Sequence, residues 1–336
     1  MKLHVALSIV IGMAIATTLV MMNDGTEIFR AVVGAGWGIL AVLAIHPLQT
    51  VLAGLGWRAL VPQEAPPGWL AFAVLRWIRE AVNALLPVAQ IGGELVGARL
   101  LALQGVALPT SGAATAVDLT IEMLSQLVFT LLGVGLLAFG PYDPAMARWA
   151  GGATAAALVV VVAFILAQRR GLFRLLERVL LRLADGPRWA VLGDFAGLHD
   201  TVIAIYRDPR RLATAGAHHL TSWLIGGIEV MVALHVVGVD VGLSQGLLIE
   251  SIGQAMRTVG FAIPGSLGIQ EGGYILVCGL VGIGPQSAIE LSLLKRVREV
   301  VLGVPGLVAW HWIEGRHLAW RAALTGQPEK SSEVAP

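Results

Sequence analysis

GAATAVDLTIEMLSQLVFTLLGVGLLAF, residues 112–139, is the stretch whose reading decides the fold. An α-helix rises about 1.5 Å per residue and needs about 20 apolar residues to cross a bilayer, and this run exceeds that length. Asp118 and Glu122 lie four residues apart inside it, hence on one face of the helix. A helix surrounded by lipid does not carry two acids on one face. The stretch therefore reads as a membrane crossing with one side turned toward protein.

The rest of the chain has the same character. Its 336 residues are 56% hydrophobic and 13% charged, with a mean hydropathy of +0.77. That balance excludes a water-soluble domain. Further apolar runs at 4–22, 31–57, 146–168 and 213–238 read as spans, and a sixth at about 286–316 is long but starts polar. The first run follows Lys2, so a cleaved signal peptide is the alternative there, although the run is long for one and no small-x-small site follows it. The single cysteine, Cys278, supports neither a disulfide framework nor a cysteine metal site.

Arginine placement sets the expected topology. Segment 169–212 holds Arg169, Arg170, Arg174, Arg178, Arg182, Arg188, Arg207, Arg210 and Arg211, whereas the joins at 23–30, 140–149 and 239–244 are more acidic than basic. The positive-inside rule places the arginine-rich segment in the cytoplasm. Within it, Arg174, Arg178 and Arg182 form the basic stripe of an amphipathic connector, either touching anionic headgroups or simply linking two halves. Both termini are expected in the cytoplasm, with a disordered tail over 321–336.

Two apolar stretches, 69–108 and 245–285, are interrupted by Pro, Gly and charge. Each suits two half-helices that enter and leave on one side, or two short tilted spans. An offset of 177 residues superposes Pro87 on Pro264, Glu94 on Glu271, Gly105 on Gly282 and Glu122 on Glu299. The expectation is an all-α, polytopic transmembrane bundle forming one membrane domain over 1–320. Repeat 1 covers about 31–139 and repeat 2 about 213–316, each with a broken, re-entrant hairpin. The linking span 146–168 and the connector 169–212 lie between them. One lone crossing between the units inverts the second relative to the first, the architecture of alternating access. In that topology the first hairpin opens inward, carrying Arg76, Arg79 and Arg99.

Charge at membrane depth needs a partner or water, so it marks the residues of interest. Asp118 and Glu122 have Lys295 and Glu299 as repeat mates, joined by Arg296 and Arg298. Arg79 and Glu80 open the first break, and Glu94 and Glu271 follow the two prolines at equal intervals. A polar seam between the repeats follows, either a path for a lipid headgroup or ion pairs that hold the hairpins. Pro87, Gly93, Pro264, Gly265 and Gly268 are the expected hinge or turn positions. No P-loop or HExxH motif is present, Gly265-Ser266-x-Gly268 lacks the spacing of a nucleophile elbow, and no aspartate cluster suits two metal ions, so neither enzyme activity nor a metal or cofactor is expected. His218 and His219 read as packing or interface residues, and Trp57, Trp149, Trp310 and Trp312 as interface anchors.

Arg79-x-x-x-Asn83-x-x-x-Pro87, Gly93-Glu94 and Pro264-Gly265-x-x-Gly268-x-x-Glu271 resemble the flippase-like membrane domain of lysylphosphatidylglycerol synthases and its stand-alone bacterial relatives. Gln254-Ala-x-Arg257 through Pro264, with Lys295-Arg296-Val-Arg298-Glu299, resembles the hopanoid-biosynthesis-associated membrane protein HpnL branch. The resemblance implies a bacterial inner-membrane protein that moves, or helps to move, lipid. With the polar seam as its path, Arg79, Asn83, Glu94, Arg99, Asp118, Glu122, Glu271, Lys295, Arg296, Arg298 and Glu299 are the expected path residues. The family's first loop commonly reads Pro-x-Arg-x-Gly-Glu with a further Arg, but here Pro87-Val-Ala-Gln90-Ile-Gly-Gly93-Glu94 lacks the arginine. That departure disfavours an anionic headgroup and suits a polyol or sterol-like lipid, as the hopanoid branch implies. The expected partners are a membrane lipid, hopanoid or phospholipid, and other lipid-synthesis or transport proteins, with no nucleic acid. The alternatives are a scaffold for lipid-synthesis enzymes or, less favoured, a headgroup-modifying enzyme.

Overall fold

Hydrocarbon offers no water to a backbone amide, so each apolar run closes its hydrogen bonds within a helix. The computed structural model describes residues 34, 36–62, 66–86, 92–142, 144–172, 197–259 and 269–325, and among these every regular element is helical. A 3₁₀ turn at Gly36–Gly38 leads into α1 (Ile39–Ala59), α2 (Trp69–Leu85), α3 (Gly92–Leu103), α4 (Leu108–Phe139) and α5 (Pro144–Arg169). Then follow α6 (Leu198–Tyr206), α7 (Pro209–Val236), α8 (Leu243–Val259), α9 (Ile269–Leu280) and α10 (Pro285–Thr325).

Among the described helices, α4, α7 and α1 with its leading turn are long and apolar enough to cross a membrane. These match the spans expected at 112–139, 213–238 and 31–57. The apolar part of α5, Thr154–Arg169, is shorter. The expected span at 286–316 lies within α10, whose Lys295, Arg296, Arg298 and Glu299 break the apolar run. Helix α10 continues to Thr325, so residues 321–325 are helical and not the start of a disordered tail. The first expected span, most of the arginine-striped connector, Pro87, Pro264, Gly265, Gly268 and residues 326–336 lie outside the described residues.

The described elements keep the register of 177. Helices α3 and α9 begin and end in step, at Gly92 and Ile269 and at Leu103 and Leu280, and α4 and α10 start in step at Leu108 and Pro285. Packing follows the same exchange. Helices α1 and α7 lie against each other, α2 packs on α10 as α8 packs on α4, and α4 meets α7 as α10 meets α1. Two apolar cores result, one around Trp57, Phe72, Leu75, Leu100 and Val117, the other around Val230, Leu234, Ile249, Val277 and Leu291.

Local chemistry locks the ends. Asp208 caps α7 by accepting from the backbone N–H groups of Arg210 and Arg211 at 3.1 and 3.2 Å. The Arg211 amide, with that of Arg210, holds the Asp208 carboxyl below its ordinary value. The cap is therefore present above the usual carboxylate range and fades as pH falls through the lowered value. Arg211 Nη1 donates to the carbonyls of Ala59 and Val61 at 3.2 and 2.7 Å, which fastens the start of α7 to the end of α1. Tyr206 donates to Gln168 at 2.9 Å and Gln168 to Thr120 at 2.8 Å, tying α6 and α5 to α4.

Gly105 and Gly282, in register after α3 and α9, have φ of +92° and +80°. Any side chain at those values meets its own backbone, so both turns require glycine. Gly105→Ala and Gly282→Ala are each expected to lower stability by about 1 kcal/mol. Gly135→Ala, helical with open space around it, is expected to be neutral or slightly stabilising. Thermal unfolding of the three variants in detergent checks the contrast.

Candidate functional site

Helix α2 presents Arg76, Arg79, Glu80 and Asn83 at helical spacing, so one stripe carries both signs of charge. Arg79 and Arg76 are buried, 1% and 8% exposed, and serve as partners of buried acids, not as charges at a cytoplasmic mouth. Arg79 donates to Asp118 at 2.7 Å and also binds Glu94 on α3. Its guanidinium lies 4.5 Å from the ring centre of Trp57. Trp57 is thereby a fully buried support and not the interface anchor its position near a span end suggested. Asn83 donates to Glu94 at 3.3 Å and accepts the Gly93 N–H at 2.8 Å, which closes α3 onto α2. Gly93 leaves no room for a side chain, since a Cβ there would collide with the Asn83 amide.

Arg76 grips both oxygens of Glu122 and donates through Nε to Glu80 at 2.8 Å. Asp118 accepts a further contact at 2.8 Å from His219 on α7. His219 is therefore a member of the polar network, while His218 faces outward and contacts the Thr214 carbonyl at 2.8 Å.

The second unit builds a matching arm with different partners. Lys295, the register mate of Asp118, pairs with Glu250 and stands 5.4 Å from the ring centre of Tyr274. Arg298 pairs with Glu229, which also accepts from Gln49 at 2.5 Å. Glu299 receives Arg257 at 2.5 Å and Arg296 at 3.4 Å. Arg296 reaches Glu271 at 3.1 Å, as Arg79 reaches the mate Glu94. Thus Glu94 and Glu271 each bind a buried arginine, one from α2 and the other from α10.

His46 on α1 joins the arms. Its Nε2 lies 3.6 Å from Glu80 and its Nδ1 3.5 Å from Glu229. Glu80 is held in place by Thr50 at 2.7 Å. The ladder, with the neighbouring Lys295–Glu250 pair counted in it, contains the carboxylates Glu80, Glu94, Asp118, Glu122, Glu229, Glu250, Glu271 and Glu299 among the described residues. Its fixed cations are Arg76, Arg79, Arg257, Lys295, Arg296 and Arg298.

Beside the joint, a cavity of about 310 Å³ opens between α1, α2 and α10. His46, Glu80, Arg298 and Glu299 form its polar floor, and Val51, Leu70, Val74, Trp77 and Leu302 its apolar walls. Trp77 is fixed by donating to the Leu302 carbonyl at 2.7 Å. A second hollow between α4 and α8, lined by Leu131, Leu136, Phe139 and Leu248, holds no charged group. No three His, Cys, Asp or Glu side chains among the described residues are arranged to hold a metal.

Of the residues expected on the path, Arg79, Asn83, Glu94, Asp118, Glu122, Glu271, Lys295, Arg296, Arg298 and Glu299 come together in the ladder. Arg99 does not: it is about half exposed and pairs with Glu314 at 2.5 Å, away from the joint. The sequence reading did not single out Glu229, Glu250, His46 or His219 as members. Each lies in a helix whose face is turned inward only by packing, although Glu229 in an apolar run carried the same signal as Asp118.

Removing one partner of a buried ion pair strands the other, at a cost of about 3–5 kcal/mol. Arg298→Met is expected to destabilise the protein by that order, and adding Glu229→Gln to recover much of it, while Arg99→Ala stays within about 0.5 kcal/mol. Denaturation of the single and double variants in detergent reads the coupling.

Against known proteins, no curated sequence and no solved structure matches this chain. The sequence profile of a membrane-region family does match, over residues 5–306, and so takes in both arms of the ladder and the joint between them. With that match across most of its length, the chain belongs to the lysylphosphatidylglycerol synthase TM region family.

Proposed function

We propose that this chain carries lipid across the bacterial inner membrane, with hopanoids or related lipids as cargo. Membership of the family supports a membrane protein related to lipid handling. The observation that carries the finer reading is the charged ladder. It runs from one unit into the other through two histidines, His46 and His219, and at His46 borders a cavity with a polar floor and apolar walls. Such a cavity suits an amphiphile: a polar end exchanges contacts with floor residues while the apolar body stays against Leu70, Val74 and Leu302.

Ion pairs made by α2 and α10 can trade partners as two rigid units rock, which is the chemistry alternating access needs. Opposite orientation of the units is part of this proposal: the register of α3 with α9 and of α4 with α10 supports a repeat, and α5 as a single crossing between the units would invert the second. So is a topology with both termini in the cytoplasm. A second reading, a scaffold for lipid-synthesis enzymes, draws on the pairing throughout the ladder, since paired buried ions also serve to fix geometry.

Leaflet exchange of labelled hopanoid in proteoliposomes tests transport. Wild type is expected to exceed empty vesicles, and Glu271→Gln, which removes the charge bound by Arg296, to lose about tenfold or more. Absence of exchange by folded, inserted wild type rejects autonomous transport and favours the scaffold. Orientation is tested separately with Ala107→Cys and Gly284→Cys, register mates that are both exposed. The native Cys278 is buried, so background labelling is low. An impermeant maleimide should reach the two positions from opposite sides of the membrane, and labelling from one side would reject inversion.

A further inference from the structure

The ladder's carboxylates outnumber its fixed cations by two. A net negative charge buried at membrane depth is costly, so added protons, on a histidine or a carboxylate, offset it. Two histidines touch ladder carboxylates: His219 against Asp118 and His46 between Glu80 and Glu229. They differ in access. The His219 side chain is 1% exposed and enclosed, whereas that of His46 is 23% exposed and forms part of the cavity floor.

The surroundings of His46 favour a charged ring. Both ring nitrogens face a carboxylate, and an ionised carboxylate only accepts hydrogen bonds. Neutral imidazole has one N–H and would turn a lone pair toward the other carboxylate. Only imidazolium offers a proton to each. The Nδ1 atom is buried and lacks a full hydrogen bond, at 3.5 Å from Glu229, so the joint is held by charge more than by close contact. Around the ring stand Glu80 and, beyond it, Arg76 on α2; Glu229 on α7; Arg298 and Glu299 on α10; and Gln49 on α1. The α4 acid Glu122 reaches this group through Arg76. Arg76 binds Glu80 from within α2 and Arg298 binds Glu229 from α10, so each acid has its own arginine and His46 is the group placed between the two.

We propose that His46 is an exchangeable proton site that latches the α1–α2 pair to α7, so that loss of its proton into the cavity opens the joint and couples lipid movement to proton movement. The coupling rests on the transport reading; the latch itself does not. With the proton on, Glu80 and Glu229 are drawn to one ring and the two units are joined. With it off, both carboxylates face a neutral ring and each other, and α2, still tied to α1 through Thr50 and Glu80, draws away with it from Glu229 on α7.

The test uses the full chain in nanodiscs, with spin labels at Trp69→Cys on α2 and Ile228→Cys on α7. Both positions are exposed, and buried Cys278 stays unlabelled. Distances are read by double electron–electron resonance across about pH 5–8, where histidine titrates. In the otherwise native background, the distance lengthens as pH rises. His46→Gln is long at every pH, and His46→Lys, which keeps a charge there, is short at every pH. A distance that ignores pH, or that titrates as before in His46→Gln, overturns the latch. Leaflet exchange under an imposed pH gradient is then measured on chains without labels. A gradient-driven rate that falls about tenfold in His46→Gln supports coupling, and an undiminished gradient response in that variant overturns it. A distance that titrates while native chain shows no exchange in any gradient rejects the transport reading and the coupling, and leaves the proton latch standing.

Discussion

A buried ion in a membrane protein is tolerated only when its partner is close and its remaining hydrogen-bonding groups are used. Asp118 meets that condition with Arg79, Arg76 and His219, drawn from α2 and α7, and Lys295 meets it with Glu250 and the ring of Tyr274. Neither site forms until its helices have come together. The association of α2 with α4, of α4 with α7 and of α8 with α10 therefore answers to charge compensation as well as to apolar contact.

The two arms share positions but not signs. Asp118 and Lys295 are register mates with opposite charge, and Glu80 corresponds to Arg257, whereas Glu94 with Glu271 and Glu122 with Glu299 keep the same charge. An acid at the centre of one arm attracts two arginines and a histidine, and a lysine at the centre of the other attracts a glutamate. Glu122 is reached by Arg76 from within its own unit, and Glu299 by Arg257, which stands where Glu80 stands in the first. Equivalent backbones thus hold different circuits, and the circuits join at His46, whose own register mate is Trp223. Trp223 has no charge to share and donates to Ser125 at 3.2 Å, so the face opposite the joint is bridged by neutral hydrogen bonds, among them Gln126 to Thr258 at 2.7 Å.

Much of this was legible before folding. The runs at 112–139 and 213–238 state their length and hydropathy openly, and the spaced landmarks Glu94, Gly105 and Glu122 locate α3 and α4 against α9 and α10. Acids in apolar runs announced Asp118 and Glu122, because nothing but a buried partner explains them. Arg99 and Trp57 show the limit. Arg99 has the same spacing logic as Arg79, yet its side chain emerges on the outer face of α3, and Trp57 near a span end is indistinguishable from an interface anchor until Phe72 and Arg79 are found covering it.

The sequence by itself determined that the chain is a helical membrane protein, which helices are long and apolar enough to cross, and that charge lies at depth, since these follow from local composition and period. Only the tertiary structure decided which charge meets which. Partner choice depends on the rotation and contact of helices far apart in sequence, as when His46 and Gln49 reach Glu229 or Arg76 reaches Glu122. No local pattern encodes those rotations. The cavity arises for the same reason: it is the space left between α1, α2 and α10 once the ladder has been satisfied.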